Sequence, residues 1–210
     1  MIESYKTVRR SGSNEIVIKK SRFIGHVMPV STESEAVAFI EDIKKQHWNA
    51  THNCSAYMIG ERNEIQKQSD DGEPSGTAGK PMLEVIRNQG LSNVAIVVTR
   101  YFGGIMLGAG GLIRAYTDGA VAALGSGDVI TRVLHREIFV EVDYTWLGKL
   151  ENELRNREVR IGETFFSEKV KMTCLPRNHE VEMFKTWMID VTQGQSLISE
   201  GEQVYFIEGE

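Results

Sequence analysis

Between Arg100 and Arg114 the sequence crowds glycines at 103, 104, 108, 110 and 111, after the aromatic pair Tyr101 and Phe102. Glycine lets backbone N–H groups turn toward an anion, and a helix N-terminus adds partial positive charge. The loop follows an apolar run and precedes a helical pattern, so Arg100, Gly103, Gly104, Gly108, Gly110, Gly111 and Arg114 form a candidate anion-facing surface. A cation in a first helical turn opposes the helix dipole at a cost of about 0.3–1 kcal/mol. Arg114, placed there, invites a phosphate or an acidic partner. The dinucleotide fingerprint fails, because Gly108 and Gly110 would require glycine where Ile113 stands. Tight helix-on-sheet packing explains the glycines equally well.

Two other segments carry reactive residue types. Ser69 to Met82 holds Asp70, Asp71 and Glu73, which suit acid–base work or a hard cation, although turn chemistry also accounts for an Asp-Asp-Gly-Glu-Pro run. The Walker pattern ending at Lys80 fails, with Pro74 in place of glycine and Pro81 in place of Ser or Thr. Lys80, near a helix start, is a second cation set against a dipole. His52 and Cys54 share one face of a strand, so a Cys/His pair is geometrically allowed. Cys54, however, joins Ala56 and Met58 on the expected core face, where cysteine acts as a small apolar residue. No metal or cofactor is expected, and no catalytic residue is assigned.

The elements that position these groups follow from periodicity. Strands are expected at 16–20, 22–30, 53–59, 64–68 and 94–99. Thr32 and Glu35 form a capping box for a helix burying Ala36, Phe39, Ile40 and Ile43. Pro81 suits the first turn of a helix running to about Asn88, and another helix spans 112–124 and ends in Gly125-Ser126-Gly127. After a linker at 125–131, the order is strand, helix, strand, strand, helix, strand, the ferredoxin-like βαββαβ order. The expected class is α+β, with domains 1–131 and 132–210.

The 210 residues carry 24 Lys+Arg and 29 Asp+Glu, a net charge of −5, which argues against whole-surface nucleic-acid binding. The excess acid lies beyond Thr131, where 10 basic side chains face 15 acidic ones. A local basic patch remains open to the first domain, whose opening 22 residues contain Lys6, Arg9, Arg10, Lys19, Lys20 and Arg22. No signal-peptide core or membrane-length apolar run occurs, so a cytoplasmic protein is expected. Cys54 and Cys174 lack zinc or disulfide spacing.

Taken together, Ser21-Arg22-Phe23, His52 to Tyr57, Asp70 to Gly79, Thr99 to Gly104 and Leu107 to Tyr116 resemble the YigZ/Impact family. The resemblance implies a first domain with the fold of a ribosomal-protein domain and of domain IV of elongation factor G. The second domain would resemble domain V of that factor. In eukaryotic relatives the family domain is attached to a partner-binding module and the proteins modulate translational control; no such module is expected in these 210 residues, so that partner interaction is not carried over. The resulting expectation is a translation-associated protein contacting RNA, the ribosome or a translation factor, with Arg22, Lys80, Arg100 and Arg114 on phosphate. Tyr101 or Phe102 would stack on a base. Two alternatives stand beside it. One is an enzyme on a phosphorylated small molecule, with the glycine-rich loop holding the phosphate and Asp70, Asp71, Glu73 or His52 supplying acid–base or metal chemistry; the other is a protein-binding adaptor.

Overall fold

The computed structural model describes residues 1–209. The chain divides into two compact units, Tyr5–Thr131 and Met1–Ser4 with Arg132–Glu210. It is a mixed α+β chain built on antiparallel sheets, as the patterning implies.

In the first unit the strands are β1 (Ser4–Val8), β2 (Gly12–Ile18), β3 (Ser21–Pro29), β4 (His52–Ile59), β5 (Ile65–Ser69) and β6 (Val94–Tyr101). The last five form one sheet in the order β2-β3-β6-β4-β5. Helix α1 (Glu33–Gln46) covers one face, packing Ala36, Ile40 and Ile43 on Tyr57, Ile59, Ala95 and Val97. Helices α2 (Gly79–Asn88) and α3 (Gly108–Gly127) cover the other, where Met82, Ile86, Tyr116 and Ala120 meet Cys54, Ala56, Ile96 and Val98. The central strands β4 and β6 are therefore buried on both faces. Alternation in β4 distinguishes two cores rather than core from solvent. Its polar members are hydrogen-bonded: Thr99 Oγ1 donates to Asn53 Oδ1 at 2.7 Å and Tyr57 Oη to Glu33 at 2.8 Å.

The capping box forms as expected, with Glu35 N–H donating to Thr32 Oγ1 at 3.2 Å. Strand β1 had no signal in the sequence, since only Thr7 and Val8 are buried in it. The expected linker at 125–131 does not exist as a loop. Helix α3 runs to Gly127 and β7 (Val129–Val142) begins two residues later. Gly127 is buried there, and a Cβ on it would lie 2.8 Å from Val27 and 3.0 Å from Val8. Close packing, not chain flexibility, selects that glycine.

The second unit adds α4 (Tyr144–Asn156), β8 (Arg160–Phe166), β9 (Val170–Leu175), α5 (Val181–Val191) and β10 (Leu197–Ile207) to β7. Strands β9 and β10 flank β7, and β8 lies outside β9. This is the ferredoxin-like arrangement. Its core joins Ile138, Val140, Met172 and Cys174 to Leu150, Leu154, Phe184 and Met188 of the two helices. The first four residues group with this unit, where the Glu3 carbonyl accepts from the Leu134 N–H at 2.8 Å. No helix is long and apolar enough to cross a membrane among the described residues.

Candidate functional site

Strand β6 ends at Tyr101 and α3 starts at Gly108, one turn earlier than the expected Leu112. Gly108, Gly110 and Gly111 thus belong to the helix, and only Gly103 and Gly104 lie in the connecting loop. Arg114 becomes the seventh helical residue, beyond the first turn to which the dipole effect is confined. Its charge therefore does not oppose the dipole, contrary to expectation, although the side chain is exposed. Gly103 serves a close approach. A Cβ there would fall 2.1 Å from the Lys20 carbonyl carbon, and its N–H donates to Ser21 Oγ at 3.1 Å. Gly104 holds a left-handed φ of +83° with open space around it.

Arg100 is not on the surface, which corrects its place among the anion-facing residues. His52 pairs with Arg100 across β4 and β6, so both side chains leave the sheet toward α2 and α3. There the guanidinium Nη1 donates to Glu73 Oε1 at 2.6 Å, and the side chains are only 7% and 3% exposed. The same Glu73 oxygen accepts from Tyr116 Oη at 2.8 Å, while His52 Nε2 lies 3.9 Å from Oε2. The guanidinium also lies 5.6 Å from the Phe23 ring centroid and 5.4 Å from that of Phe102. Its charge is consumed internally.

The acidic turn closes over this cluster. Asp70 Oδ2 accepts from the Gly76 N–H at 2.8 Å, and Oδ1 accepts from Ala78 and Gly79 at 3.1 and 2.8 Å. Asp70 thereby caps α2 from eight residues upstream, supplying the acceptor that the N-cap residue Ala78 lacks. Burial opposes its charge, but the N–H groups of Gly76, Gly79 and Ala78 outweigh burial and hold its pKa below the usual carboxylate value. Asp71 accepts from the Asn53 N–H at 2.7 Å and pairs with Lys44 at 3.2 Å. Its carbonyl meets His52 Nδ1 at 2.8 Å, which as the only possible donor of that pair carries the proton.

Cys54 is fully buried and its thiol donates to the Asp70 carbonyl at 3.0 Å. Burial pushes its pKa up to about 12, so it is held as a thiol rather than a nucleophilic thiolate. Burial, together with Cys54 and Glu73, raises the Tyr116 phenol further still. Among the described residues no group of three His, Cys, Asp or Glu side chains could hold a metal. The structure therefore gathers His52, Cys54, Asp70, Asp71, Glu73 and Arg100 at one end of the sheet. It engages them with one another and with backbone.

The other cations are dispersed. Arg22 donates from Nε and Nη2 to Glu15 at 2.9 and 2.8 Å and lies over the Tyr101 ring at 5.3 Å. Tyr101 Oη sits 2.9 Å from His47 Nδ1 and donates to Asn49 at 3.3 Å, so it is tied down rather than free to stack. Lys80 is exposed in the first turn of α2, beside a groove of about 380 Å³ shared with Glu84, Ile113 and Thr117.

The turn between β2 and β3 is a feature that local sequence pattern does not announce. Ile18 pairs with Ser21, leaving a two-residue turn of Lys19 and Lys20 with φ of +44° and +65°. Such turns demand positive φ at both positions, which glycine and asparagine supply readily. For lysine the conformation costs on the order of 1 kcal/mol per residue. Both lysines are exposed and have no ion-pair partner among the described residues. The loop after β6 lies against this turn through Gly103, and projects Phe102 (49% exposed), Ile105 and Met106 (83% exposed) into solvent. The detectable signal was a bare Lys-Lys pair between two β-branched runs.

Residues 19–124 match the Impact N-terminal domain, and 140–195 match a domain of unknown function (DUF1949). The chain is 55% identical over 205 residues to the IMPACT family member YvyE of Bacillus subtilis, covering 98% of this chain and 94% of that protein. It is 34% identical over 179 residues to the IMPACT family member YigZ of Escherichia coli, covering 84% and 88%. Protein IMPACT-A of Xenopus tropicalis shares 38% identity over 98 residues, 44% of this chain and 30% of that one. A crystal structure described as that of a hypothetical protein aligns with a TM-score of 0.62 at 31% identity, covering 96% of this chain and 99% of the other.

Proposed function

The chain belongs to the IMPACT family, and from that footing we propose that it is a translation-associated protein binding RNA within a ribonucleoprotein. The contact surface is the Lys19–Lys20 turn with the loop that follows β6. One observation carries this reading: two unpaired lysines are held in a costly backbone conformation beside exposed Phe102, Ile105 and Met106. Adjacent cations and an exposed aromatic ring, here that of Phe102, are what phosphate contact and base stacking require of a single-strand binder. The acidic net charge confines such binding to a local, salt-sensitive contact. Glu73 and Arg100 neutralise one another in a closed setting, which takes both away from the alternative of an enzyme acting on a phosphorylated small molecule.

The apolar loop also favours a second reading, a protein-binding adaptor that uses Phe102, Ile105 and Met106. Binding of single-stranded RNA or purified ribosomes, measured across salt concentrations, separates the two. The Lys19→Asn/Lys20→Gly variant suits the turn better and so stays folded. It should weaken RNA binding and lower the salt slope by between about one and two. An unchanged slope and affinity would sink the RNA reading. Weaker ribosome binding in Met106→Ser with the salt slope intact would favour the adaptor.

A further inference from the structure

The second unit contains a cavity that the first unit's surface does not explain. Its volume is about 640 Å³, within the range of about 300–1,000 Å³ typical of small-molecule sites. Its walls include His135, Glu158, Arg160, Arg177, Glu180 and Glu208. Register places His135 on β7, Arg160 at the start of β8, and Arg177 beyond β9 in a bridge to His135. The core residues Ile138, Val140 and Val142 alternate with this set along β7 and turn to the helices.

Phe206 organises the cations. The His135 ring meets it edge-on at 5.3 Å, and the Arg160 guanidinium lies over it at 4.4 Å. A guanidinium held over an aromatic ring by this attraction still has N–H groups to offer a planar or tetrahedral anion. Arg160 has no carboxylate within ion-pair distance among the described residues, and the one partner of Arg177 is Glu208 at 3.8 Å. His135 Nδ1 lies 3.0 Å from the Val133 carbonyl, which can only accept. The proton therefore sits on Nδ1, and Nε2 is the ring atom left for a ligand. Burial lowers the His135 pKa, and Arg160 and Arg177 lower it further, while the Val133 carbonyl and Glu180 act in the opposite direction. An added anion would offset the two guanidinium groups and favour imidazolium.

We propose that this cavity binds a small phosphorylated metabolite, with its phosphate between Arg160, Arg177 and His135 and its hydroxyl groups on Glu158, Glu180 and Glu208. The carboxylates distinguish the site from a bare anion patch. They repel phosphate alone and reward a ligand that also brings donors. The site is independent of the RNA surface assigned to the other unit.

Titration calorimetry of the full chain with inorganic phosphate and with ribose 5-phosphate tests the assignment. Ribose 5-phosphate should bind more tightly than phosphate, and the two should compete. Arg160→Gln should weaken both by about tenfold or more, as expected for loss of a charge-assisted hydrogen bond. Glu180→Gln should tighten inorganic phosphate by about threefold, a gain that a misfolded variant would not give. Lys45→Gln, on α1 of the other unit, should leave both titrations unchanged. No heat from either compound at millimolar concentration overturns the proposal, and so does undiminished binding in Arg160→Gln and Arg177→Gln.

Discussion

Glu73 Oε1 lies 2.6 Å from Arg100 Nη1, with both side chains almost wholly removed from solvent. The pair ties the turn between β5 and α2 to the end of the central strand β6. Removing one partner from a buried pair strands the other charge, typically at about 3–5 kcal/mol. Glu73→Gln should lower unfolding stability by roughly that amount in denaturant titration. Glu73→Leu/Arg100→Met should recover much of the loss. Losses in Glu73→Leu and Arg100→Met that simply add up to that of the double variant would show that the pair is not coupled.

Asp70 should matter through three backbone N–H groups rather than through chemistry. Asp70→Asn keeps the shape but loses the charged acceptor for Gly76, Ala78 and Gly79, at about 1–3 kcal/mol. Its pKa is depressed in the fold, so its stabilising contribution is complete above the unfolded carboxylate pKa. That contribution disappears as pH falls through the lower, folded value. Urea melts of the wild type and Asp70→Asn should therefore differ at neutral pH and converge in strong acid.

His26 is buried on the α1 face of the sheet, its ring 5.0 Å from that of His47, and its Nε2 has no hydrogen-bond partner. Burial first, and His47 second, push its pKa down to about 4. The unfolded chain takes up a proton near pH 6.5 and the folded chain only near 4. Stability is thus unaffected above 6.5 and drains away between those values, by up to about 3 kcal/mol. A His26→Leu variant should show a flatter stability profile between pH 6.5 and 4. If its profile parallels the wild type, another group sets the acid limit.

Much of the fold was legible because its signals are local. The Thr32–Glu35 box, the apolar run of β6 and the βαββαβ order each need only a few neighbouring residues to be recognised. The site was less legible because its outcome depends on contacts far apart in the chain. Nothing local to Arg100 tells that Glu73 will be delivered to it across a separation of 27 residues. Likewise, the start of α3 at Gly108 contradicts glycine's poor helix propensity, and misplacing it by one turn reversed the meaning of Arg114. Lys19 and Lys20 count in the sequence only as members of a basic stretch, because lysine is a poor turn residue, and the turn they form appears only once β2 and β3 are paired.

The order β2-β3-β6-β4-β5 has a consequence for how molecules of this chain meet at high concentration. The twice-buried apolar strands lie inside the sheet, and its outer strands carry Ser13, Asn14 and Glu15 on one side and Gln66, Lys67 and Gln68 on the other. Polar and charged borders of this kind discourage edge-to-edge strand addition. The segments most prone to aggregate, Cys54–Ile59 and Val94–Val98, become accessible only on unfolding. Clumping should therefore track loss of the fold and not crowding of the native protein.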